Sequence, residues 1–175
     1  MDEVQIEQIF KEINQLGGFV CHKTHQQPKL LVYAAKPDDD SSNRRQNFII
    51  DINFYLQQNT TIFLMYISKG YTGIQSQLID RLLMIINSIT RAGFFAYYYH
   101  TGDVIFRRDM PTDYLNAQNT TDILQHFEQV HKEIKPLLES YTSGWALQDL
   151  SSTEHNKFIK DYGLHFTGLE RALAG

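Results

Sequence analysis

The stretch NFIIDINFYL, residues 47–56, alternates strictly. Phe48, Ile50, Ile52, Phe54 and Leu56 fall on one side of an extended chain, and Ile49, Asp51, Asn53 and Tyr55 on the other. Side chains alternate across a strand, so this spacing predicts a β-strand with one face on a core and one semi-polar face. After the short connection Gln57 to Thr60 comes TIFLMYI, residues 61–67, which is apolar on both sides. Such a run predicts a central strand whose second face also needs cover. Two strands joined this closely pair antiparallel, so a sheet built from hairpins is expected.

The flanking segments give that sheet its helices. From Val4 to Leu16, Ile6, Ile9, Phe10 and Ile13 recur at helical spacing, and Gly17-Gly18 supplies the stop. Phe19 to Thr24 and Lys29 to Lys36 read as short strands around Gln26-Gln27-Pro28, followed by a polar loop over 37–46. In IQSQLIDRLLMIINSITRAG the stripe Leu78, Leu82, Ile85, Ile86 and Ile89 predicts a second helix ending at Gly93. A third helix is expected from a cap at Asn119-Thr120-Thr121-Asp122, with Ile123, Phe127, Val130, Ile134, Leu137, Leu138 and Tyr141 inward, a kink at Pro136 and an end at Ser143-Gly144. The capping pattern SSTE at 151–154 predicts a short fourth helix stopping at Gly163. The order is α-β-β-β-β-α-β-β-α plus a C-terminal helical tail. The fold class is α+β, an antiparallel sheet with helices packed on it. Residues 1–144 are expected to form one domain, and 145–175 a tail packed on it or on a partner.

With 175 residues, 42% of them apolar, and 11 Phe and 10 Tyr, the chain can bury a core without staples. A net charge of -4 with scattered basic residues excludes the electrostatic footprint of a duplex nucleic-acid binder. No stretch is apolar enough for a membrane span, and MDEVQIEQIFKEINQ is acidic and amphipathic rather than a secretory leader. One cysteine precludes an internal disulfide. Cytoplasmic location, with no nucleic acid and no membrane partner, is the expectation.

Residue types that carry chemistry are present but badly placed for it. His22 and His25 point apart on a strand, and His126 and His131 sit five apart on a helix, so neither pair suggests a metal site. Gly70 and Gly73 are too few for a phosphate loop, which leaves a strand-to-helix connection with Thr72 near the cap. Cys21 and His22, as strand neighbours, diverge and cannot act as nucleophile and base; Cys21 reads as a small buried hydrophobe. No catalytic residue, cofactor or metal is expected.

The densest cluster is YYYHTGDVIFRRD, residues 97–109. Read as a hairpin turning at Thr101-Gly102, it places His100 opposite Asp103, Tyr99 opposite Val104, Tyr98 opposite Ile105 and Tyr97 opposite Phe106. Phe95, Tyr97, Tyr99, Val104 and Phe106 then share an apolar face, and Tyr98, His100, Asp103, Arg107 and Asp109 a polar one. Arg107 and Arg108 point to opposite faces.

On the strand TIFLMYIS, the second helix with Leu83 and Asn87, the stretch AGFFAYYYHTGDVIFRRDMP and the amphipathic helix 121–141, the chain resembles the YbjN-like family. These are bacterial sensory transduction regulators that share the fold of type III secretion chaperones. The resemblance covers residues 5–141. It implies a helix-sheet-helix protein without cofactor or catalytic residues, acting through protein contacts and commonly as a homodimer. The function expected is therefore a non-enzymatic interaction module, chaperone-like or regulatory, for a protein partner or client. The narrower alternative is a secretion-type effector chaperone. The alternative from another class is a small-molecule binder or enzyme using Tyr98, His100, Asp103 and Arg107. Tyr98, His100, Arg107, Phe63 and Met65 are the expected partner contacts.

Overall fold

The computed structural model describes residues 1–26, 29–35 and 48–145. The loop expected at 37–46 and the helix expected within 151–163 lie outside them. In chain order the elements are α1 (Glu3–Leu16), β1 (Val20–Gln26), β2 (Lys29–Ala35), β3 (Ile49–Tyr55), β4 (Thr60–Ser68), α2 (Ile74–Ile89), β5 (Phe94–Tyr98), β6 (Asp103–Pro111) and α3 (Ala117–Trp145). Among the described residues the strands form one open antiparallel sheet in the order β1-β2-β3-β4-β6-β5. The fold is α+β, in the element order that the periodicity predicts. A helix followed by a hairpin builds each end of the sheet: α1-β1-β2 at one, α2-β5-β6 at the other.

Two compact units make up the described chain: Met1–Tyr66 with Phe106–Glu128, and Ile67–Ile105 with 129–145. In the first unit, α1 starts on a capping box, with the Asp2 carboxylate accepting from Gln5 N and the Gln5 carboxamide accepting from Asp2 N. It ends where Gly17 takes φ 74°, a left-handed conformation that costs glycine little. Its inward residues Ile6, Phe10 and Ile13 are buried, and the Phe10 ring meets Phe54 edge-on at 5.8 Å.

The register of β3 and β4 explains which face is covered. Ile50 pairs with Met65, Ile52 with Phe63 and Phe54 with Thr61, and all six side chains are buried. Phe127 of α3 closes this layer, 6.1 Å from Phe63 and 4.8 Å from Phe106. The lone hydroxyl in the row, Thr61, is satisfied by Thr112 at 2.9 Å, which removes the cost of burying it. The opposite face of the β3–β4 pair is partly open: Ile62 and Leu64 are half-buried and Ile49 and Tyr66 exposed. The second cover that TIFLMYI demands is thus only partial there among the described residues.

Several boundaries and phases differ from the sequence expectation for identifiable reasons. Helix α3 begins at Ala117, ahead of the expected cap. Asn116 and Asn119 exchange side-chain-to-backbone bonds at 2.9 and 2.8 Å, forming the cap three residues upstream. It also runs through Ser143-Gly144 to Trp145. Helix α2 stops at Ile89 rather than near Gly93, because Thr90 leaves the helix with its hydroxyl donating to Ile86 O at 2.8 Å. The inward face of α2 is Ile79, Leu82, Leu83 and Ile86, with Leu78 and Ile85 only half-buried. Leu56 leaves the strand in a short 3-10 turn and is exposed.

Cys21 is buried on β1, and desolvation pushes its thiol up to about 12. At pH 8 the native thiolate fraction is then roughly 10⁻⁴, so a thiol-specific reagent should label Cys21 at the rate at which this strand opens rather than at a free-thiol rate. The unfolded chain loses this proton near 9 and the native chain near 12. The native state therefore binds more protons in that window, and stability falls as pH rises, by about 1 kcal/mol between pH 8 and 10. Fast labelling of native protein at pH 8, or a Cys21→Ala variant with an unchanged alkaline limb, would contradict the buried thiol.

Candidate functional site

The cluster at 97–109 is a hairpin, with a turn longer than expected. Tyr99 to Gly102 form four turn residues between β5 and β6, and Tyr98 O accepts from Thr101 N at 3.2 Å and Gly102 N at 2.7 Å. Gly102 supplies the positive φ, 73°, that closes the turn. His100 is consequently a turn residue, not the last cross-strand partner of Asp103. It is exposed, and neither a hydrogen bond nor an ion pair joins it to Asp103 among the described residues.

Parity predicts the burial of this hairpin only in part. Phe95, Val104 and Phe106 are buried and Tyr98 is exposed, as the two-face reading requires. Ile105, expected opposite Tyr98, is buried too, so β6 is covered on both sides over 104–106. Tyr99 is corrected from the apolar face to the turn, where 69% of it is exposed. Its hydroxyl donates to the Asp80 carboxylate of α2 and its ring stands edge-on to Tyr97 at 4.9 Å. The Asp80 carboxylate, with some desolvation, raises the Tyr99 phenol above its ordinary range.

A second tyrosine fastens the same turn from below. Tyr97 donates its hydroxyl to Tyr71 O at 2.6 Å, and Tyr71 N donates to Gly102 O at 3.0 Å. The connection Gly70 to Gly73, read from sequence as a plain link, therefore forms the seat of the hairpin turn. Thr72 provides no cap for α2: the cap position is Gly73, without a side-chain bond.

Arg107 is engaged along its own strand. Its Nε and one terminal nitrogen donate to the two oxygens of Asp109, each at 2.7 Å, a bidentate pair two residues apart on one face. Arg108 points to the other face and is half-buried; desolvation lowers its affinity for the proton. Of the proposed acid-base constellation, His100 lies in the turn rather than across from Asp103, and Arg107 is engaged by Asp109. Phe63 and Met65, expected as partner contacts, are 0% exposed: they lie on the covered face of β4 and offer no surface.

What the second unit does present is apolar and aromatic. Phe94 and Tyr98, on the same side of β5, are 43% and 42% exposed, and Met84 of α2 is 75% exposed. Tyr99, 69% exposed, stands on the other side, bonded to Asp80 of α2. In the first unit an open groove of about 480 Å³ runs between Val4, Gln8 and Glu12 of α1 and the segment Leu115 to Ala117. Its only carboxylate side chain is Glu12, and its lining contains no histidine, cysteine or lysine. No group of three or more metal-ligating side chains occurs among the described residues, and none of their helices is long and apolar enough to cross a membrane. No protein-family model, no curated protein and no solved structure matches the chain.

Proposed function

We propose that this chain is a non-enzymatic interaction module, chaperone-like or regulatory in style, which works by holding a protein partner or another copy of itself. The observation that carries the reading is the pair of exposed rings, Phe94 and Tyr98, on one side of the edge strand β5. Phe94 and Tyr98 stand exposed on one side of β5, and Tyr98 leads into a turn fastened to Tyr71 through Tyr97 and Gly102. Rigid aromatic side chains lose little entropy on contact and bury much area, which makes such a surface suited to protein recognition. The resemblance to the YbjN-like family supports the same style of action. The missing link between His100 and Asp103 and the engagement of Arg107 by Asp109 weigh against the small-molecule or enzymatic alternative.

The test is self-association followed by contact mapping. Light scattering on the full chain should report a homodimer, and Phe94→Ser with Tyr98→Ser should shift it to monomer while far-UV dichroism stays native. A photo-crosslinker at position 98, introduced in the native host, should give a discrete adduct with a copy of the chain or a client; one at exposed Gln8 should not. A monomer at all concentrations together with no adduct from position 98 would overturn the proposal.

A further inference from the structure

An edge strand presents a row of unpaired backbone groups, a ready template for strand addition by another chain. The sheet ends in β1 on one side and β5 on the other, and both are closed by the same device. Asn14, in the last turn of α1, accepts from Cys21 N at 2.6 Å and donates to Cys21 O at 3.2 Å. Asn87, in the last turn of α2, accepts from Phe95 N at 2.7 Å and donates to Phe95 O at 2.8 Å. In an antiparallel ladder both groups of one residue point to the same side, so residues 21 and 95 direct theirs away from β2 and β6. A side-chain carboxamide carries the donor and acceptor of a peptide group, and each asparagine occupies the place a further strand would take.

The device is written twice in the sequence: Ile13-Asn14 ahead of Gly18-Phe19, and Ile86-Asn87 ahead of Gly93-Phe94. At β1 the next outward-directed residue, Lys23, is bonded by both Glu3 and Glu7 of α1, which adds charge to that edge. β5 is kept to five residues. We propose that Asn14 and Asn87 are strand mimics that close both edges of the sheet against pairing with a second copy of this chain. Self-association then runs through side-chain surfaces rather than through backbone ladders.

The test uses the full chain with Asn87→Ala, Asn14→Ala and the double variant, read by amide exchange and light scattering. In dilute solution the Phe95 amide of Asn87→Ala should exchange roughly 10-fold or more faster than in the parent. At high concentration it should regain protection while the mass rises above that of the parent; Cys21 should behave likewise in Asn14→Ala. Fast exchange at every concentration with no gain in mass would mean that the asparagines only staple helix to strand, and would overturn the proposal. Should Asn87→Ala fail to fold, Asn87→Asp keeps the acceptor for Phe95 N and loses the donor, and a smaller concentration-dependent gain is expected. Its absence would count against the idea equally. Leu83→Ala loosens the buried face of α2 without touching the edge and should not assemble. Equal assembly by that variant would assign the effect to loosening of the helix and sink the proposal.

Discussion

An aspartate at position 52 is expected to leave the chain unfolded at neutral pH. Ile52 is 0% exposed, lies between Val32 of β2 and Phe63 of β4 in the register, and faces the layer that α1 and Phe127 cover. Removing a buried isoleucine side chain costs about 2–5 kcal/mol, and an unpaired carboxylate placed there adds several more or must take up a proton. The sum rivals the roughly 5–15 kcal/mol that holds an ordinary domain. Far-UV dichroism should report coil, and the variant should run as an expanded or aggregated species. The control sits three residues earlier on the same strand. Ile49 faces the partly open side and is 46% exposed, so Ile49→Asp should shift stability by about 0.5 kcal/mol. A soluble Ile52→Asp variant with native dichroism, or equal damage from both substitutions, would show that the covered face has been assigned to the wrong side of β3.

The contrast between positions 49 and 52 also marks what a sequence makes legible. Alternation in NFIIDINFYL is a local signal with period two, and the burial of Phe48, Ile50, Ile52 and Phe54 follows it. Helix α2 is harder to phase: eight of its 16 residues are Leu or Ile, and hydrophobicity alone does not tell Leu78 and Ile85 from the more deeply buried Ile79 and Leu83. The true phase depends on what packs against the helix, which is a long-range fact. The start of α3 was misplaced because two cap-forming segments lie three residues apart, and the Asn116–Asn119 exchange bonds the upstream one.

The candidate surface was half legible. Alternation exposed Tyr98 correctly, yet it also put Phe63 and Met65 among the contacts, because a doubly apolar strand does not say which of its faces the helices cover. Tyr99 was misassigned through the turn: a two-residue turn and a four-residue turn place position 99 differently, and only the hydrogen bonds to Tyr98 O decide between them. The paired asparagines carried a readable signal in the repeated Ile-Asn and Gly-Phe steps. Their meaning required knowing that β1 and β5 are the edges, and strand order is not a local property.

Gly102→Ala is the second large effect, and it tests the rigidity on which the proposed contact surface depends. At φ 73° an alanine incurs about 1–2 kcal/mol of left-handed strain. The new Cβ would also come inside contact distance of Tyr71 O and within 2.7 Å of Tyr71 N. Those atoms are backbone, and Tyr71 N is the donor that holds Gly102 O, so the clash cannot be relieved by turning a side chain. The seat must move away, adding a further ~1–3 kcal/mol of overpacking. A total near 3 kcal/mol is expected, concentrated in the hairpin turn. The Tyr71 amide should lose exchange protection, and the Tyr97 hydroxyl should leave Tyr71 O. The Tyr99 phenol, no longer held against Asp80, should titrate back toward its ordinary range, an ultraviolet signal that a merely global destabilisation would not produce below the unfolding transition. Binding at position 98 should weaken in step, because a loosened turn must be ordered again on contact. An alanine variant with parental stability and an unchanged tyrosine titration would mean that the turn does not rest on Tyr71. The exposed rings would then have no rigid base from which to bind.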